Sequence, residues 1–146
     1  MLVPKKVKFR KWQTGRSNPK RNAMDTRGIK LAFGSFGLKS ESQARVRSNQ
    51  IESARKVIAR TLTKTGKYWI RIFPDRPYTA KAAEVGMGKG KGDPEGYCFD
   101  VLPGRIVFEV DGVIISDMIG KVIHAASTMR ARSTLCGVFV KIDKEE

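Results

Sequence analysis

Charge is divided unevenly along this chain of 146 residues, and the division limits what the chain can fold into by itself. Residues 1–67 hold 18 Lys and Arg against three acids, Asp25, Glu41 and Glu52, whereas residues 68–146 hold 11 of each sign. The formal net charge of +15 therefore arises in the first half. A solvated surface mixes its signs along the sequence. A segment this one-sided repels itself until anions neutralise it. The balance points to a polyanion or an anionic membrane surface as partner. The early cations are Lys5, Lys6, Lys8, Arg10, Lys11, Arg16, Lys20, Arg21, Arg27 and Lys30. Apolar residues among them follow neither a helical nor a strand period, so 1–30 reads as a basic arm, disordered without anions. Phe9 and Trp12 lie between these cations. They could stack on unpaired bases or anchor the arm to a core, and the two readings stand even.

The remainder is long enough for one domain. A chain of this size should bury roughly 68–70% of its unfolded surface, so it needs no disulfide or metal to fold. Cys98 and Cys136 each lie in an apolar run at a spacing that fits no zinc motif, and only His124 could add an imidazole. Both read as buried thiols of a reducing compartment. His124 reads as structural. No stretch approaches 18 apolar residues, which argues against a membrane span. The start lacks the apolar core of a secretory signal. It is Arg/Lys-rich like a transit peptide, but Pro4, Trp12, Gly15 and Pro19 leave no sustained amphipathic helix.

In chain order, LAFGSFGL at 31–38 reads as a short strand or bent segment, with Gly34 and Gly37 marking a close backbone approach or a bulge. Residues 49–65 are the clearest helix. Asn49 is the expected N-cap with Glu52 three residues on, Ile51, Ala54, Ile58 and Leu62 make one apolar stripe, and Gly66 is the expected C-terminal cap. Arg55, Lys56, Arg60 and Lys64 occupy other faces with no acid after Glu52, which favours phosphate contact. A strand over 67–73 puts Tyr68, Ile70 and Ile72 on one face, and Arg71 beside Trp69 and Phe73 on the other. Pro74 and Pro77 read as ladder breakers opening a long loop over 74–96. Residues 97–102 and 105–110 read as strands of a hairpin around Pro103-Gly104. Ser116 can cap a second helix with Ile119, Val122, Ile123 and Ala126 inward, and 134–142 reads as a final strand. The expected fold is α+β: a two-layer sandwich of a mostly antiparallel sheet with two helices, a basic N-terminal arm and a long Gly/Lys loop. The expected organisation is the arm at 1–30, one RNA-binding domain at 31–142, and a charged tail at 143–146.

Inside the long loop, Gly86, Gly88, Gly90 and Gly92 alternate with Met87, Lys89 and Lys91. Such a run is costly to order and contributes nothing to a core. It suits a partner that needs close backbone approach and positive charge, as RNA does. Nucleotide hydrolysis does not fit, because a P-loop needs Ser or Thr after its lysine and Gly follows both Lys89 and Lys91. The dinucleotide fingerprint fails too, for want of a strand directly before and a helix directly after. Asp75, Glu84, Asp93 and Glu95 lie among Pro and Gly and give no fixed acid-base or metal geometry. The chain reads as no enzyme, with no catalytic residue, metal site, cofactor or small-molecule substrate.

Several stretches together resemble a known family. They are MLVPKKVKFRK at the start, FGSFGLK at 33–39, NQIESARKVIAR at 49–60, GKYWIRIFPDRPYT at 66–79, MGKGKGDPE at 87–95 and PGRIVFEVDGV at 103–113. In this order they resemble protein sixteen of the bacterial-type large ribosomal subunit. The resemblance implies an α+β sandwich that binds large-subunit ribosomal RNA beside the aminoacyl-tRNA site, among neighbouring ribosomal proteins. It also implies that Met87, Gly88, Lys89, Gly90, Lys91 and Gly92 point toward the peptidyl transferase centre and the aminoacyl-site tRNA. The expected RNA-binding cations are Lys5, Lys6, Lys8, Arg10, Lys11, Arg16, Lys20 and Arg21 on the arm. Arg55, Lys56 and Arg60 follow on the helix, and Arg71, Arg76 and Lys81 before the glycines. Gly86 stands where the family usually has Arg, Gly96-Tyr97 where it has Tyr-Trp, and Thr128-Met129-Arg130 where it has Lys-Leu-Pro. These departures suit a divergent lineage, in a bacterial cytoplasm or an organelle. The rival reading is an RNA-binding protein or RNA chaperone outside the ribosome.

Overall fold

The computed structural model describes residues 2–15, 23–62, 66–88 and 90–112. The expected second helix, the strand at 134–142, His124, Cys136 and the charged tail lie outside the described residues. Within them the chain forms two three-stranded antiparallel sheets and a helix. In the first sheet β6 (Ile106–Asp111) lies between β1 (Phe36–Lys39) and β3 (Lys67–Ile70). In the second β5 (Asp93–Val101) lies between β2 (Ala44–Arg47) and β4 (Arg76–Ala80). Helix α1 (Ser48–Thr61) packs against β2, β3 and β5.

The core joins these pieces. Leu38, Val107, Phe108 and Val110 from the first sheet meet Val46 and Val101 from the second. The helix adds Ile51, Ala54 and Ile58, as its stripe predicts, and Ile72 completes the cluster. Residues 106–110 are buried throughout, which explains why IVFEV reads as an unbroken run instead of an alternating one. Tyr68 and Ile70 pack on the same core from the edge. Cys98 is fully buried, and its thiol hydrogen-bonds the Arg76 carbonyl at 3.5 Å. Burial, with Asp100 nearby, pushes that thiol above its ordinary range.

Four expectations need correction. The helix starts at Ser48 after Arg47, whose backbone N–H donates to the Gln50 side chain at 2.8 Å, so Asn49 lies inside the first turn. At the other end Leu62 is already extended and packs on the core. Gly66 makes room for it, since a Cβ there would sit 2.9 Å from the Leu62 side chain. Pro77 does not break the ladder: it pairs with Tyr97 on β4, an edge strand, where a missing N–H costs nothing. The irregular loop therefore shrinks from 74–96 to 81–92. Residues 97–102 and 105–110 belong to different sheets and form no hairpin. Gly104, at φ +91°, turns the chain from one sheet to the other, and its N–H donates to the Ser40 carbonyl at 2.6 Å. Residues 44–47, which gave no signal of their own, complete the second sheet as β2.

The last part of the expected arm is tied down. Asp25 N–H donates to the Pro103 carbonyl and Ile106 N–H to the Gly28 carbonyl, both at 2.9 Å. The Arg105 guanidinium donates to the Arg27 carbonyl at 2.8 Å and lies 3.5 Å from the Asp25 carboxylate. A few residues on, the backbone closes on Glu109, a carboxylate at 0% exposure in mid-β6. It accepts from the N–H of Ala32 (3.2 Å), Phe33 (2.7 Å) and Gly34 (3.2 Å), and it pairs with Arg71. Gly34 lies so close that a Cβ would sit 2.7 Å from the Val110 carbonyl oxygen. The expected close backbone approach is therefore at this residue.

Removing one partner of a buried pair leaves an uncompensated charge. Glu109→Ala is expected to cost about 3–5 kcal/mol of unfolding free energy in denaturant titration. Exposed Lys56→Ala should lie within about 0.5 kcal/mol of the parent.

Candidate nucleic-acid interface

Several arginines of the sequence point inward to acids. Asp100, on β5, accepts from Arg45 Nε at 2.8 Å and also pairs with Arg76. That hydrogen bond holds the Arg45 guanidinium above its ordinary range. The far edge of Arg76 donates to the carbonyls of Gln13 (2.8 Å) and Thr14 (2.6 Å), and Arg45 reaches the same Thr14 carbonyl at 3.2 Å. Arg55 pairs with Glu52 at 2.6 Å and donates to the Tyr68 hydroxyl at 3.1 Å. The hydrogen bond from Arg55 pulls the Glu52 carboxyl below its usual range. Arg71 pairs with Glu109. Three cations expected to meet RNA, Arg55, Arg71 and Arg76, are thus already matched to an acid of this chain.

A second set is not. Lys5, Lys6, Lys8 and Arg10 are exposed on the arm, and Lys56 and Arg60 on the helix, with no ion pair among the described residues. Lys56 and Arg60 are four apart and so share a helix face. Lys8 Nζ lies 5.4 Å from the Phe9 ring centre. Phe9 is 58% exposed and Trp12 42%, so neither ring anchors the arm in the core. The backbone does the anchoring, through the carbonyls of Trp12, Gln13 and Thr14. Arg16, Lys20, Arg21 and Lys89 lie outside the described residues.

The loop at 81–92 has a closed neck and an open tip. At the neck Gly92 packs against the Ala80 carbonyl, where a Cβ would overlap it. Lys81 donates to the Gly88 carbonyl. Lys11 donates to the Lys91 carbonyl at 3.3 Å and meets the Asp93 carboxylate at 3.4 Å, while Lys91 donates back to the Trp12 carbonyl. Arm and loop are therefore clasped by two lysines. At the tip Gly88 (φ +94°) and Gly90 (φ +93°) take the left-handed conformation that glycine adopts without strain, and nothing lies within 4 Å of where their Cβ would be. Met87 is fully exposed beside them.

Sequence reasoning missed the acids that organise this surface. Glu109 and Asp100 were each visible as a lone carboxylate inside an apolar strand, in IVFEV and CFDVL. A charge in such a place needs a partner, and that partner is an arginine counted earlier as free.

The surface divides into cations matched to acids or carbonyls of this chain, Arg45, Arg55, Arg71 and Arg76 chief among them, and cations left facing outward, mostly lysines, with a glycine loop beside them. That division defines the class, a structural protein built to meet a polyanion. The sequence matches the family described as ribosomal protein L16p/L10e over residues 4–133. It is 54% identical over 114 residues to the large ribosomal subunit protein uL16 of Azobacteroides pseudotrichonymphae, covering 78% of this chain and 77% of that one. The protein of the same name from Parabacteroides distasonis is 51% identical over 113 residues, 77% of this chain and 76% of its own. That from Coprothermobacter proteolyticus is 52% identical over 113 residues, 77% and 81% of the two. The chain belongs to the ribosomal protein L16p/L10e family, and is a structural component and not an enzyme.

The docking of the arm on Arg76 has a direct test. Arg76→Ala removes the donor to Gln13 and leaves Thr14 with Arg45 alone, so trypsin should cut at Lys11 several-fold faster in the free protein. Unchanged cleavage would mean that residues 11–14 are held by something other than this guanidinium.

Proposed function

We propose that this protein binds large-subunit ribosomal RNA through its exposed lysines and helps position tRNA at the aminoacyl site through its glycine loop. As a member of its family it is a structural constituent of the large ribosomal subunit, located in the ribosome and set among RNA and neighbouring proteins. The family match over most of the chain carries this reading. The structure supports the RNA-binding part by leaving Lys5, Lys6, Lys8, Arg10, Lys56 and Arg60 exposed and unmatched by acids. These ammonium and guanidinium groups neutralise phosphates and release counterions on binding. Arg55, Arg71 and Arg76 contribute through the fold that presents the others.

The tRNA part rests on the loop. Its left-handed glycines let backbone N–H groups approach a phosphate closely, and the clasp through Lys11 and Lys91 fixes the neck from which the tip projects. With Gly86 supplying no cation, the approach at the tip depends on Lys89 and the backbone, while Lys91 holds the neck.

The protein should sediment with the large subunit and resist a moderate salt wash. Affinity for ribosomal RNA should fall steeply with salt, by roughly 0.7–0.9 log units per log unit of salt for each phosphate contact. Replacing Lys56 and Arg60 together by Ala should lower that slope by about two contacts' worth. Sedimentation at the top of the gradient, with crosslinks to mixed RNAs, would instead establish a binder outside the ribosome.

Lys89→Ala combined with Lys91→Ala should leave free-protein thermal stability within a few degrees of the parent while slowing aminoacyl-tRNA accommodation on reconstituted subunits. A large drop in melting temperature would make the loop part of the fold.

A further inference from the structure

Phe33 belongs neither to the exposed cations nor to the glycine loop. This ring is 60% exposed, yet its position is fixed. Its own backbone N–H donates to the buried Glu109 carboxylate at 2.7 Å, and Gly34 beside it lies against β6. On one side it stacks with Trp69, ring centres 6.0 Å apart and planes within 22°. The Arg71 guanidinium lies 5.1 Å from the ring centre. That guanidinium is itself held by Glu109, so one buried carboxylate orients both the ring and the cation above it. An exposed aromatic ring normally swings between rotamers and loses that freedom when something binds. Here ring and cation are placed beforehand, which lowers the cost of binding a flat partner.

The surroundings decide what kind of flat partner fits. Lys30 and Lys67 are exposed nearby, three residues before Phe33 and two before Trp69. Among the described residues the two close acids are already engaged: Glu109 by three N–H groups and Arg71, Asp111 by the Ser35 hydroxyl at 2.7 Å. A ring framed by lysines, without a free carboxylate, is unlike the core of a protein–protein contact, where lysine is depleted. It is like a single-strand platform, where a ring takes the base and ammonium groups take the flanking phosphates.

We infer that Phe33, backed by Trp69 and Arg71, is a stacking site for one unpaired nucleobase, with Lys30 and Lys67 meeting the adjacent phosphates. This rests on the RNA-binding reading and adds a position at which a base, and not only the phosphate backbone, is held.

The chain has two tryptophans, so Trp12→Phe leaves Trp69 as the reporter. The full chain carrying that change would be titrated with a short oligoadenylate and with an abasic oligomer of the same length and charge. Oligoadenylate is expected to quench Trp69 and to bind about tenfold tighter than the abasic oligomer. Phe33→Leu, at an exposed side chain whose backbone bond is untouched, should erase that difference and leave the salt slope unchanged. Phe33→Tyr should preserve it. Equal binding of both oligomers, without quenching, would overturn the stacking site and leave RNA binding in place. No binding of either at low salt would remove both. Loss of large-subunit association in Phe33→Leu, with oligomer affinities unaltered, would overturn the base site in favour of a protein neighbour.

Discussion

One buried carboxylate organises this protein. Glu109 lies in the middle of the most covered strand, where an unmatched charge would be intolerable. Its lone pairs are filled by three consecutive backbone N–H groups and by Arg71, the residue that follows the neighbouring strand β3. The residues before β1 are bent round this anion, so that three of their N–H groups face it beside the Arg71 guanidinium. Gly34 is part of the same arrangement, since any side chain there would push the backbone off β6. The bend before β1, the backbone of Phe33 and the guanidinium of Arg71 all meet at this one group.

Asp100 does on the second sheet what Glu109 does on the first. It gathers Arg45 and Arg76, whose remaining donors catch the backbone of residues 13 and 14. Arginine suits this task because its planar fork can grip a carboxylate and still donate elsewhere. Lysine is a strongly hydrated point charge, and here it mostly stays outside. The clasp between Lys11 and Lys91 joins the two uses, since it spends lysine donors on carbonyls to hold the arm against the loop neck.

Much of the core was legible because it repeats at a regular period. The stripe Ile51, Ala54 and Ile58 is buried as its helical spacing suggests, while the run at 106–110 is buried without any alternation. What was hidden depends on partners far away in sequence. Pro103-Gly104 has the local chemistry of a hairpin, but whether the flanking strands pair or part is decided by Ser40 and by the sheets on either side. Pro77 breaks a central strand but not an edge, and the sequence does not say which strand is the edge. The cations were legible as charge but not as free charge. Arg71 and Arg76 look like surface groups until Glu109 and Asp100 are found opposite them, 38 and 24 residues on.

The two prolines of the second sheet have a bearing on the life of the protein before it meets RNA. Strand β2 covers only the last part of β5, residues 98–101, so residues 93–97 have β4 on one side alone. Bare strand edges recruit other chains and seed aggregates. Pro94 lies on that length, with no second strand beside it, and Pro77, itself buried, lies on the partner strand β4. Neither offers an N–H to an incoming strand. An edge whose residues include prolines is a poorer template for a second copy of the chain than one with a full row of donors.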